Sequence, residues 1–358
     1  DEVSHGYNAY SLLKTGRDEW GSFLPLIFRA YGDYKLPLYI YLTIPSVLIF
    51  GLTPFSVRLV SIVAGSLLPV LIYLIVGKIL PKDTKIPLFA ALICLFSPGT
   101  LFLSRIALEA NLFAFLFCLS LYFLITKKYS FSSFIYGLSL FTYNSSRALL
   151  PFFIISLIYF LVKNKYPLKK NLLHFLPFLI FIILTAWQML NQSGQARYQW
   201  VSLLDSGSVN RINELRQTYP RILVNKLTFF IYQTGKNYLS RFNPLYLFFH
   251  GGSHYQFNIP HFYLLSPLLI PFLILGLVYL LKHFKKNPQY QLLFFWLLVA
   301  PLPSAITRDA PHVLRSIIFI PIVIIITAIG FTYLNRFQPK LSAVYLIVVL
   351  IISQIQSW

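Results

Sequence analysis

The fold class this sequence predicts is all-α, a polytopic transmembrane helix bundle, and three observations predict it. Of 358 residues, 57% are hydrophobic and only 11% charged, whereas a soluble domain carries about a quarter charged residues. Residues 56–80, 108–126, 171–190, 260–282 and 313–334 form apolar runs long enough, or nearly so, to cross a hydrocarbon core of about 30 Å. Lysines fall in short clusters between such runs, as topology signals do. The formal charge of +20 therefore does not describe a nucleic-acid surface, because the basic residues gather in no single patch. The expected partner surface is the lipid bilayer. Cys94 and Cys118 lie inside apolar runs and read as small buried hydrophobes, with neither a disulfide framework nor metal-ligand spacing.

Taken in order, the predicted spans are 56–80, 86–103, 108–126, 131–144, 148–163, 171–190, 260–282, 290–306, 313–334 and 340–357. They divide the chain into a first outer loop with a juxtamembrane helix (1–55), transmembrane helices (56–190), a long outer loop with an interfacial helix (191–259) and further transmembrane helices (260–358). Alternate links carry Lys78, Lys82 and Lys85; Lys127 and Lys128; Lys163, Lys165, Lys169 and Lys170; Lys282, Lys285 and Lys286; and Arg336 with Lys340. An excess of positive charge marks cytoplasmic links. The opposite links hold Asp1, Glu2, Asp18, Glu19, Asp33, Glu109, Asp205, Glu214 and Asp309, leaving Asp83 on the inner side. Carboxylate chemistry is thus expected on the outer face.

The run 36–52 does not fit as a span, since counting it would put every later lysine cluster outside. It reads as an outer or re-entrant helix broken by Pro45 and ended at Gly51. In the long outer link, Leu223, Leu227, Phe230 and Ile231 recur at helical spacing beside Arg221, Lys226 and Lys236, the pattern of a helix lying on lipid headgroups. The chain opens on Asp1-Glu2 without an initiator Met, which reads as a fragment whose first membrane helix is missing.

Five outer segments carry candidate chemistry. Asp1-Glu2, followed by His5, Tyr7, Asn8 and Tyr10, offers carboxylates able to take a proton from a hydroxyl group. Gly32-Asp33-Tyr34-Lys35-Leu36-Pro37 places a lysine at headgroup depth, where it holds a phosphate as a point charge or simply snorkels. Ser104-Arg105 with Glu109 puts an acid between two spans. If Arg105 and Glu109 share a helix, their spacing makes an ion pair, and that pair alone is the bland alternative. Thr142–Arg147 is an outer turn whose arginine reads as an interfacial anchor. Thr307-Arg308-Asp309-Ala310-Pro311-His312-Val313-Leu314-Arg315 sets two arginines and a histidine around a proline turn, and arginine forks suit phosphate oxygens. His250-Gly251-Gly252-Ser253-His254, with His261, is a weak metal hint. The glycine pair breaks the helix that would align its histidines.

These residues resemble the multi-spanning glycosyltransferases of the protein O-mannosyltransferase and aminoarabinose-transferase type (glycosyltransferase family 39), which have the GT-C fold. The match rests on Asp1-Glu2, Tyr7-Asn8-Ala9-Tyr10, Asp33 to Tyr39, Phe55 to Leu59, Ser104-Arg105 with Glu109, and Asp309, Pro311, His312 and Arg315. It departs from the family at Leu36, where a proline usually stands. The resemblance implies an inverting transfer of a sugar from a polyprenyl-phosphate carrier to a lipid, glycan or protein acceptor on the extracytoplasmic face. Such an enzyme is expected to need no cofactor, a divalent metal being improbable, and to sit in a bacterial inner membrane. It further implies Asp1 as general base with Glu2 assisting or orienting it. Lys35, Arg58, His312 and Arg315 would take the donor phosphate. Tyr7, Asp33, Tyr34, Arg105, Glu109 and Asp309 would take the sugar or the acceptor.

A multi-spanning transporter or lipid flippase is the alternative. Such proteins place polar groups at the membrane midplane and repeat their halves, whereas these spans hold almost no charge and show no internal symmetry. A non-catalytic scaffold is the third reading.

Overall fold

The computed structural model describes residues 2–31, 33–191, 200–252, 254–257 and 263–357. Among the described residues, its regular elements are helices, one antiparallel hairpin and two isolated β-bridges. Among the described residues, four helices are long and apolar enough to cross a membrane, and a bent pair makes a possible fifth.

The chain begins with α1 (Glu2–Thr15), followed by the hairpin β1 (Phe28–Ala30) and β2 (Asp33–Lys35), whose register pairs Phe28 with Lys35. Phe28 and Ala30 are buried, so the hairpin is anchored by one apolar face. Leu36, with extended backbone, leads into α2 (Pro37–Phe50). Extended backbone is what the residue before a proline prefers, and a first-turn proline forfeits no helical hydrogen bond. Contrary to the expected break, α2 continues through Pro45 and stops at Gly51, whose φ is +70°. A proline here removes the bond to the Tyr41 carbonyl, and packing of α2 on α1 and α3 holds the helix together across it.

α3 (Pro54–Ile79) is the longest helix, started by a Thr53–Ser56 capping box. Its 26 residues span about 39 Å. The predicted span 86–103 is two helices, α4 (Lys85–Phe96) and α5 (Pro98–Ser104), bent by 57° at the proline step. α6 (Glu109–Ile125), α7 (Tyr129–Ser139) and α8 (Asn144–Lys163) follow. With 11 residues, α7 reaches about 16 Å, so the expected span 131–144 does not cross a bilayer by itself. Next come α9 (Leu176–Leu190), α10 (Ser206–Leu215), α11 (Lys226–Ser240), α12 (Ile270–His283), α13 (Pro288–Val299), α14 (Phe319–Phe337) and α15 (Pro339–Ser357). The predicted spans 260–282, 290–306 and 313–334 are shorter or displaced. Pro267, the Pro301-Leu302-Pro303 step and the turn at Leu314–Ser316 set their actual ends. Of the residues expected on one interfacial face, α11 leaves Leu227 and Ile231 exposed, Phe230 is half-buried, and Leu223 precedes the helix.

α14 is the centre of the bundle, with 78% of its apolar window buried, against 17% for the peripheral helix at Leu172–Leu190. It crosses α12 closely because both contribute glycine. A methyl at Gly276 would lie 1.9 Å from the Ile326 carbonyl oxygen, and one at Gly330 would lie 1.9 Å from that of Phe272. Small residues at such crossings let membrane helices gain dispersion contacts that lipid would otherwise provide.

α3, α6 and α8 each begin near Arg58, Glu109 and Asn144 and end near Lys78, Lys127 and Lys163. Glu109 and the lysine pair at 127–128 are therefore at opposite ends of α6, and α3 and α8 likewise carry a lysine in their last turn.

Candidate active site

At the lysine-poor end, the starts of α1, α6 and α8, the end of β2 and the loops before α14 enclose a polar cavity of about 300 Å³. One wall is built by α1. The Glu2 carboxylate accepts both Nε and Nη2 of Arg58 at 2.8 Å and the Ala107 backbone N–H at 2.9 Å. Burial pushes its pKa up. The Arg58 fork and the Ala107 N–H together outweigh that, and Glu2 lies below the ordinary carboxylate range. One turn along, His5 Nε2 meets Glu109 Oε1 at 2.8 Å. His5 is wholly enclosed, and burial, then the charge of Lys35, holds its pKa below the usual histidine value. The imidazole is thus neutral at pH 7 and donates Nε2–H to the carboxylate, which itself gains from its place at the start of α6. The Tyr39 ring tilts against His5 at 4.8 Å.

Lys35 enters the cavity from β2. It is buried, and burial lowers its pKa while Glu109, Tyr31 and Glu19 act to raise it. Across the cavity, the turn before α14 supplies Arg308, Asp309, His312 and Arg315. Asp309 Oδ2 lies 3.6 Å from Arg308 Nε and 3.8 Å from Arg315 Nη2. Arg315 also donates to Thr307 Oγ1 at 3.0 Å and to the Arg308 carbonyl, so its fork is held by one side-chain hydroxyl and one backbone oxygen of the same turn. Arg308 sits over the Trp200 ring. His254 and Phe257 pack their rings on His312, at 5.2 and 5.8 Å.

Most of the remaining acids have local duties. Asp18 accepts the Trp20 and Ser22 N–H groups, Glu19 is tied to Asn8, Asp83 caps α4 and Asp205 caps α10. That leaves Glu109 and Asp309 as carboxylates lining the cavity among the described residues.

The cavity thus brings together Tyr34, Lys35, Glu109, Asp309, His312 and Arg315 of the residues singled out by sequence. Arg58 does not line it and instead engages Glu2. Tyr7 is half exposed on α1, away from the lining. Arg105 caps the end of α5 while Glu109 opens α6, so the two share no helix and the four-residue ion pair does not form. Asp33 pairs through its backbone with Ala30. Asp1 and His261 lie outside the described residues. His5, Tyr143, Trp200, His254 and Phe257 join the site without having been assigned a role there. The His5–Glu109 bond spans 104 positions, which no local pattern encodes. Among the described residues, no three His, Cys, Asp or Glu side chains are grouped to hold a metal ion.

A second cavity of about 280 Å³ adjoins the first and is mostly apolar. The two share Tyr143, Asn144, Val201 and Arg315, and the second continues between Arg147, Ala148, Pro303 and Ile306. A polar chamber beside an apolar one, with Arg315 on their common wall, suits an amphiphile with an anionic head.

Residues 35–189 match the family model of dolichyl-phosphate-mannose-protein mannosyltransferases, rather less than half of the chain. No curated protein matches the chain by sequence. Among solved structures, the chain is similar to ArnT from Cupriavidus metallidurans bound to undecaprenyl phosphate (16% identity, TM-score 0.55, covering 97% of this chain and 58% of that one). The apo state of the same protein matches at 14% identity and a TM-score of 0.52, covering 97% and 57%. The archaeal oligosaccharyltransferase AglB from Archaeoglobus fulgidus, in complex with an inhibitory peptide and a dolichol-phosphate, matches at 13% identity and a TM-score of 0.56, covering 99% and 51%. The chain thus spans a little over half the length of these solved proteins.

Proposed function

From the GT-C fold that this chain has, we propose a membrane glycosyltransferase that moves a sugar from a polyprenyl-phosphate carrier to an acceptor hydroxyl or amine. The observation that carries this reading is the pairing of cavities. The polar one presents Lys35, Arg308 and Arg315 beside Glu109 and Asp309, and the apolar one opens from the same wall. Support comes from the family model over residues 35–189 and from the two fold relatives whose structures hold undecaprenyl phosphate and dolichol-phosphate.

In this reading the prenyl chain lies in the apolar cavity and its phosphate meets Lys35, Arg308 and Arg315. The acceptor oxygen or nitrogen attacks the anomeric carbon from the face opposite the phosphate, forming the new glycosidic bond as the carbon–oxygen bond to phosphate breaks. Configuration therefore inverts. The acceptor proton passes to a carboxylate, and the electron pair leaves with the phosphate, whose charge the cations stabilise. Asp1 is the proposed base, on the strength of the sequence motif. Glu2 is held in a bidentate pair by Arg58 and by the Ala107 N–H, so its task is to fix the start of α1 rather than to collect a proton. Glu109, oriented by His5, binds sugar or acceptor hydroxyls. The positive-inside pattern supports an extracytoplasmic position for the cavity, and a bacterial inner membrane is the proposed location.

The test is transfer from radiolabelled polyprenyl-phosphate sugars by the full-length protein, compared with Asp1→Asn and Glu109→Gln. Donor-dependent transfer that falls at least about 100-fold in Asp1→Asn supports the assignment. Full activity in that variant removes Asp1 from the mechanism. No turnover of any donor by folded protein removes the reading itself.

A further inference from the structure

Behind the arginine-rich wall lies a cation that the transfer reaction as described does not use. Arg241 follows α11, which is started by an Asn225–Thr228 capping box. The same helix braces the wall through Asn237, whose Nδ2 donates to the carbonyls of Ala305 and Thr307 at 3.1 and 3.3 Å. Arg241 is 0% exposed, the largest wholly buried side chain among the described residues. Its guanidinium lies over the Tyr246 ring at 4.7 Å, and one Nη donates to Ser304 Oγ. Apart from its approach to Tyr246, its Nε and other Nη meet no acceptor, and no carboxylate of the described residues pairs with it.

Burying an arginine charge without a carboxylate is expensive, because the lost hydration is not repaid by a counter-ion. The ring face and the end of α11 offset only part of that. The Tyr246 hydroxyl favours the charge as well, and Arg315, a lining cation, opposes it more weakly. A chain selected for stability alone would gain by placing an apolar residue here.

Arg241 is joined to the cavity by a short relay. Ser304 Oγ accepts from Arg241 and also from the His312 backbone N–H at 3.4 Å. On the other side of the same turn, Tyr246, under the guanidinium, meets Ser316 Oγ at 3.1 Å, and Ser316 Oγ donates to the His312 carbonyl at 3.1 Å. Both backbone groups of His312 are thus held by the network around Arg241, and the His312 ring lines the cavity.

We propose that Arg241 is a positioning and charge-balancing residue for the anionic substrate: it fixes the His312–Arg315 turn, and the substrate's phosphate supplies the negative charge that the protein does not. Arg241 thereby exchanges stability of the free protein for affinity toward a phosphate group. This inference rests on the lipid-phosphate donor reading above.

The experiment measures thermal stability and binding of undecaprenyl phosphate, with undecaprenol as the uncharged control, in wild type, Arg241→Met and Arg241→Lys. Arg241→Met is expected to melt no lower than wild type without lipid, and to bind the phosphate lipid at least about fivefold more weakly, undecaprenol binding being unchanged. Arg241→Lys, which keeps the charge, retains most of the phosphate preference. In transfer assays Arg241→Met raises donor KM with little change in kcat. A wild type indifferent to the phosphate overturns the donor reading and this inference together. A wild type that prefers the phosphate, with Arg241→Met preferring it equally, overturns the Arg241 assignment alone. So does a marked loss of stability in Arg241→Met, and so does a Lys variant as defective as Met.

Discussion

His5 shows how enclosure sets the protonation of one side chain in the site. It is 1% exposed, bonded to Glu109 and close enough to Lys35 to feel its charge. Burial first, and Lys35 second, depress its folded-state pKa below the ordinary 6.5. Well above pH 6.5 both folded and unfolded chains carry a neutral imidazole, and the group contributes no pH dependence. Below it the unfolded chain binds a proton that the folded chain refuses, so stability falls with pH until the lower folded value is reached. One such proton gives a slope of at most about 1.4 kcal/mol per pH unit. Melting curves between pH 7.5 and 5 should therefore show wild type losing stability on acidification, and His5→Asn doing so less steeply. Equal slopes in the two proteins would mean that His5 is accessible to protons in the folded state. The same residue marks a limit of sequence reading. His5 stands in a motif with Asp1 and Glu2, yet its partner Glu109 lies 104 positions away, and only the packing of α1 against the α5–α6 junction brings them together.

At the scale of elements, apolar runs predicted the bundle because composition alone separates a membrane interior from a soluble core. Where helices start and stop was less legible, because prolines act in context. Pro45 stays inside α2, while the Ser97-Pro98 step divides the predicted span 86–103 into two helices 57° apart. The runs 131–144 and 290–306 read as single spans by hydropathy, but turns at Leu140–Tyr143 and Ala300–Pro301 end their helices early. Close approach of helices was equally hidden. Gly276 and Gly330 are ordinary glycines in apolar runs until α12 and α14 are seen to cross through them. A methyl at Gly330 would meet the Phe272 backbone, which has no rotamer by which to yield. Gly330→Ala should therefore force the helices apart and cost about 1–3 kcal/mol, read as a lower melting temperature in detergent. Gly235, on exposed α11 with nothing within 4 Å of a methyl, is the control, and Gly235→Ala should be neutral or slightly stabilising. Equal melting of both variants would mean that the crossing is looser than described.

For the whole molecule, the question is why a site with so many cations sits beside an apolar chamber. Lys35, Arg308 and Arg315 face Glu109 and Asp309 in the polar cavity, and Arg241 stands behind. Among the described residues lining the cavity, cationic side chains outnumber carboxylates, which suits a phosphate, but a soluble phosphate compound would have no use for the adjoining space between Arg147, Ala148, Pro303 and Ile306. A prenyl chain would fill it, each methylene removed from water contributing about 0.8 kcal/mol; from a bilayer the gain is smaller and comes from fit. The two properties can be separated by experiment. Ala148 lines the apolar cavity but not the polar one, so Ala148→Phe would narrow the proposed path of the tail and leave the proposed phosphate contacts in place. Transfer from a donor with a long prenyl chain should lose about tenfold or more in kcat/KM, mainly through KM. Transfer from a donor truncated to one or two isoprene units should be nearly unchanged. The ratio of the two kcat/KM values is the diagnostic quantity, since general damage to the fold lowers both alike. If that ratio stays at its wild-type value, the tail does not run between α8 and the Pro303–Ile306 segment, and the apolar cavity must be reassigned even if the phosphate chemistry stands.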